Sequence, residues 1–148
     1  MRRRLLRGAP LVMIAAAMIW GIGDQAGLAQ VKKGKDRAAE TKYLMRGVVS
    51  VHCGNIGALL KKVPSDDKSW DTLACHASIL NEMSFTLMDD GRCPDKVWAG
   101  AAKSLRDSSA KVLEAAKAKN LEDAQTAFKG VTGACAACHS EHKTKAKT

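Results

Sequence analysis

Residues 133–143 read GACAACHSEHK, with Cys135, Cys138, His139, His142 and Lys143 at the positions that carry chemistry. Two thiols three apart, followed at once by an imidazole, admit three sites: a dithiol redox pair, a zinc centre or a covalently held haem. A thioredoxin-like dithiol sits at a helix start after a strand, and no strand pattern precedes Cys135. Zinc needs four converging ligands. Cys135, Cys138, His139 and His142 supply the number, but on one continuous helix they spread over several directions. The haem reading uses every residue. Each thiol of C-x-x-C-H adds to a vinyl group as a thioether, and the histidine binds iron. Residues three apart share a helical face, so Cys135 and Cys138 hold one porphyrin edge and His139 reaches the metal. The expectation is one covalent haem c.

The 148-residue chain is long enough for one domain. Arg2, Arg3, Arg4 and Arg7 precede an apolar run from Ala9 to Ile22, and Gly27 and Ala29 have the small side chains that suit a cleavage site. This predicts a secretory signal peptide over 1–29 and a mature domain over 30–148. The apolar run is shorter than the ~20 residues of a spanning helix, which argues against a retained anchor. The arginines also fit a twin-arginine signal, so the export route stays open. The expected location is the periplasm, with no membrane span in the mature protein. The formal net charge is +9. An exported chain rarely meets nucleic acid, so the charge is read as solvation and a docking surface for an acidic redox partner.

Alanine, lysine, leucine and glutamate dominate, and aromatic residues make up 4%, a helical composition. Four segments are expected. Segment A runs from about Lys35 to Lys62, with a stripe at Leu44, Val48, Val51 and Leu59, and ends before Pro64. Segment B follows Ser65 as N-cap and carries Trp70, Leu73, Ala77, Leu80, Ser84 and Leu87 up to Asp89-Asp90-Gly91. Segment C begins after Asp95 and runs to about Lys119, with Val97 or Trp98, Ala101, Leu105, Val112, Leu113 and Ala116 inward. Segment D runs from Leu121 toward Lys143, capped by Asn120, through Ala124, Phe128, Val131, Cys135 and Cys138. Long helices joined by short turns predict an all-α, antiparallel up-down-up-down four-helix bundle, its haem on the C-terminal helix.

A leader, four helices and C-x-x-C-H on the last of them resemble the class II c-type cytochromes, the cytochrome c′ family. GACAACHSEHKTK is similar to that family's last-helix ending, and TKYLMRGVVSVHCGNIGALLKK (41–62) to its first helix. The resemblance implies a haem with His139 proximal and segment A over the distal face, often in a homodimer through the first two helices. It also implies two classes of member. Where a methionine of the first helix is the sixth ligand, the protein is a one-electron carrier. Where an apolar side chain covers a five-coordinate iron, it binds NO or CO. Met45 is the matching distal ligand or cover. The aligned position falls on its neighbour Arg46, a possible propionate contact. His52 and His76 are weaker ligand candidates. Past the motif, the family's aromatic residue and arginine are replaced by His142 and Lys143. Lys143 keeps a proximal-pocket charge without the planar guanidinium.

Cys53, Cys75 and Cys93 are left over. If segments A and B fold back at Pro64, Cys53 meets Cys75 at one level and His52 meets His76 at the next. A Cys53–Cys75 disulfide is expected, with reduced core thiols, a Cys93 partner or a two-Cys, two-His metal site as alternatives. No acid–base pair or nucleophile for turnover stands out, so the chain is read as a non-enzymatic electron carrier. The alternatives are a gas-binding protein and a helical binding module without haem.

Overall fold

Asp66 shows how local chemistry starts a helix in this chain. Its carboxylate accepts the Ser69 N–H at 2.7 Å while Ser69 Oγ faces the Asp66 N–H, a reciprocal capping box. The expected cap, Ser65, lies one residue too early. Asp95 and Asn120 do the same work for the next two helices, accepting from Trp98 and Asp123. The computed structural model describes residues 34–143, so the expected leader over 1–29 lies outside the described residues.

The described residues form helices and no strand: α1 (Thr41–Leu44), a π turn (Met45–Val49), α2 (Ser50–Lys62), α3 (Asp67–Thr86), α4 (Lys96–Lys117) and α5 (Leu121–His142). The first three are continuous, so the described residues make four helical rods. No helix among the described residues is long and apolar enough to cross a membrane. Helix α4 packs against α3 and α5, and α2 against α3 and α5, whereas α1 and the π turn make no close backbone approach to α4 or α5. The front of the first rod therefore stands away from the last helix, and its rear does not.

Every residue of the stripe expected for segment B is buried: Trp70, Leu73, Ala77, Leu80, Ser84 and Leu87. On α4 the choice falls to Trp98, with Val97 exposed. The first rod differs by one residue. Val49, Ile56 and Leu60 are buried and Val51 is exposed, so of the expected stripe Leu44, Val48 and Leu59 pack half-buried against the core and Val51 does not. Successive helical residues point ~100° apart, and the fully buried line runs through Val49, Ile56 and Leu60, with Met45 and Cys53 half-buried on one flank and Leu44, Val48 and Leu59 on the other.

The first rod also begins later than Lys35. The Lys35 N–H donates to the Asp90 carbonyl at 2.9 Å, and the Asp36 and Arg37 N–H groups donate to the Asp90 carboxylate at 2.8 and 3.0 Å. These contacts tie residues 35–37 to the turn after α3, and the helix starts only at Thr41. Arg92, 2% exposed, sits 3.3 Å from that carboxylate and donates to the Ala39 carbonyl at 3.0 Å. Gly91 permits the turn with φ of 72°. The Asp36 amide, then the Arg37 amide and the Arg92 guanidinium, hold the Asp90 carboxyl below its ordinary value of 3.8. Its contribution to stability is complete above that value and is lost as pH falls through the depressed one. Arg92→Met removes one partner of this contact and is expected to lower stability by about 3 kcal/mol in urea unfolding. It should also speed amide exchange at 35–37; unchanged exchange there would contradict the clamp.

Candidate haem site

Helix α5 brings Cys135, Cys138 and His139 to one apolar cavity, whose other walls include Met45 and Val49 from the π turn, Leu87, and Trp98, Ala101 and Leu105 from α4. A π turn widens the helix locally and recurs at functional sites. Here it spans the residues whose register decides what meets the motif. Met45 lines the cavity, whereas Arg46 is exposed and absent from its walls. The cavity holds only about 30 Å³ of room for water-sized spheres, against roughly 300–1,000 Å³ in small-molecule pockets. It lies where the first rod stands away from α5.

The donor set suits haem in chemical terms. Burial, and then the Lys143 ammonium, lower the His139 pKa, so the imidazole is neutral with a free lone pair at neutral pH. Lys143 is exposed at the end of α5 and acts by its charge rather than as a wall of the cavity. Burial, followed by the Asp95 charge, pushes Cys138 up to about 11. The hydrogen bond to Cys53, then burial, raises Cys135 further. Both motif thiols are therefore held toward the protonated form.

Trp98 holds the floor of the cavity. Its Nε1–H donates to the Leu87 carbonyl at 2.8 Å, and the ring meets His142 edge-on, with centroids 5.4 Å apart. His142 is largely buried with Nε2 3.4 Å from Asp95 Oδ1. It stays out of the cavity walls. Among the described residues no three His, Cys, Asp or Glu side chains are arranged to hold a metal ion. Neither the zinc arrangement Cys135-Cys138-His139-His142 nor the two-Cys, two-His metal site Cys53-Cys75-His52-His76 is therefore assembled.

The expected Cys53–Cys75 disulfide is not formed. All five cysteines are free, Cys75 is exposed, and the Cys53 thiol instead hydrogen-bonds with Cys135. The fold-back at Pro64 places the level correctly, since His52 does meet His76. The rotation of the first rod aims Cys53 at α5. The spacing Met45, Val49, Cys53 was the signal: fourth-residue steps put all three on one face. Cys93 makes a local contact, its thiol to the Asp95 carbonyl at 3.4 Å. In the Cys53–Cys135 pair the shared hydrogen bond lowers Cys53 to about 7. Iodoacetamide at limiting dose and pH 7.5 is therefore expected to label Cys53 of the haem-free chain before Cys138, by peptide mass mapping; the reverse order would contradict the pairing.

The chain matches no protein-family model, no curated protein and no solved structure.

Proposed function

We propose that this chain is an exported haem c protein that carries single electrons. The fold proposed for it is an antiparallel up-down-up-down four-helix bundle like that of the class II c-type cytochromes. The observation that carries the reading is the convergence of Cys135, Cys138 and His139 with Met45 on one apolar cavity. Cys135 and Cys138 would hold the haem as thioethers, each S–H adding across a vinyl group so that sulfur bonds one carbon and hydrogen the other. His139 would be the proximal ligand and Met45 the distal one. The haem supplies the one-electron Fe(II)/Fe(III) couple.

The protein's part is to bind, orient and exclude water. Trp98, Leu105 and Ala101 give the cavity an apolar lining, and its dielectric and the axial pair are the levers on potential. Up-down topology is supported by contacts between α3 and α4 that run in opposite directions along the two helices. These are Asp67 with Lys119 at 2.7 Å, Asn81 with the Arg106 carbonyl at 2.8 Å, and Leu87 with Trp98. The basic surface suits an acidic redox partner, and the leader reading places the encounter in the periplasm. Exposed Tyr43 and Val51 on the first rod leave apolar area for the expected homodimer.

The test is the optical spectrum of chain made in a host with cytochrome maturation machinery. A low-spin ferrous spectrum unchanged by CO supports electron transfer with Met45 bound. A high-spin, CO-binding spectrum overturns the Met45 ligand and favours the gas-binding reading, in which Met45 and Val49 serve only as an apolar cover.

A further inference from the structure

The His52–His76 pair is used by nothing described so far. The two imidazoles come from different helices, α2 and α3, and their Nδ1 atoms lie 2.8 Å apart. The rings are half-buried, 4.9 Å between centroids and tilted by 57°. A nitrogen–nitrogen contact of this length requires one Nδ1–H donating to the other ring's lone pair.

The same distance has a second meaning. With metal–nitrogen bonds near 2.0 Å, two ligands at a right angle sit about 2.8 Å apart and two at the tetrahedral angle about 3.3 Å apart. The pair matches the right angle. Tetragonal geometry with nitrogen and oxygen ligands is that of Cu(II) and Ni(II), and imidazole suits both. We propose that His52 and His76 form a two-histidine site, bridging α2 and α3, for a divalent ion of this tetragonal, imidazole-preferring class. The remaining positions go to water, because among the described residues no third His, Cys, Asp or Glu joins the pair.

Binding replaces the hydrogen bond between the rings. The donor ring moves its proton from Nδ1 to Nε2 through solvent, so both Nδ1 lone pairs become available and no net proton is released. Each ring then turns so that its lone pair points at the ion rather than at its neighbour. The χ2 torsion of histidine is soft enough to allow this. The bound ion ties the middle of the first rod to α3. That rod also carries Met45, and its α1 and π-turn part lacks support from α4 and α5. The site stands on these two side chains alone and does not depend on the haem reading.

The experiment is calorimetric titration of the full chain with Ni²⁺, which free thiols do not reduce. The wild type is compared with His52→Gln and His76→Gln, which keep a polar side chain at each position. The expected result is one more Ni²⁺ per chain in the wild type than in either variant. A rise in the thermal midpoint with Ni²⁺ should likewise be lost in both. Ni²⁺ held by cysteines or by His139 and His142 is common to all three proteins and cancels. Equal uptake by all three would overturn the site and leave an imidazole–imidazole hydrogen bond only. If a variant fails to fold by circular dichroism, the wild type decides. Joint paramagnetic broadening of the His52 and His76 ring signals supports the site, and unbroadened signals refute it.

Discussion

Trp98→Ala is expected to lower the unfolding free energy by about 4 kcal/mol and the thermal midpoint by roughly 15 °C. Trp98 is 3% exposed and packs in the same core as Leu87 and Leu105. Removing it opens a large cavity where α4, the end of α3 and the end of α5 meet. The loss is compounded at Leu87, whose carbonyl accepts the indole N–H. Trp98→Phe isolates that second part. It keeps most of the apolar volume and is expected to cost only about 1–2 kcal/mol, the penalty for an unpaired buried acceptor. Urea unfolding measures both. A Trp98→Ala cost below about 1 kcal/mol would show that this residue is not the floor on which the cavity rests.

Met45→Leu has the largest expected effect on chemistry with little on stability. Leucine nearly conserves the volume of methionine, so the fold should lose less than about 1.5 kcal/mol. The thioether is gone, however, and leucine offers no donor atom in its place. The haem-loaded variant is expected to change completely from a CO-insensitive, low-spin ferrous form to a high-spin form that binds CO. Arg46→Ala is the matched control. Arg46 is exposed and outside the cavity, so its removal should leave the spectrum as it was. Identical spectra for Met45→Leu and the wild type would take Met45 out of the distal position.

The helical class and three of the four rods were legible in the sequence because their signals are local. Asp95 and Asn120 are caps whose side chains reach amides three residues on. The α3 stripe repeats at three and four residues without interruption. In the first rod only Val51 was placed on the wrong side and Val49 was missed, and the reason is physical. Its valines at 48, 49 and 51 offer two adjacent apolar stripes, so hydrophobicity alone does not select one. The π turn lies within that ambiguous stretch. Burial of Val49 and exposure of Val51 settle the phase of the core, and the same rotation turns Cys53 away from Cys75 and toward Cys135. The late start of the rod was also hidden, because Asp90 captures the amides of Asp36 and Arg37 from more than 50 residues away. The closing motif itself was plain in sequence, whereas the wall facing it required the phase of a helix some 90 residues earlier.

Covalent anchoring of a haem by Cys135 and Cys138 is the proposal on which the functional reading depends. The most direct test is the mass of the denatured chain from a host with cytochrome maturation machinery, beside Cys135→Ala/Cys138→Ala. The wild type is expected to keep the mass of one haem after acid-acetone extraction, and the double variant to lose it. A colourless, unmodified wild-type chain would contradict the proposal.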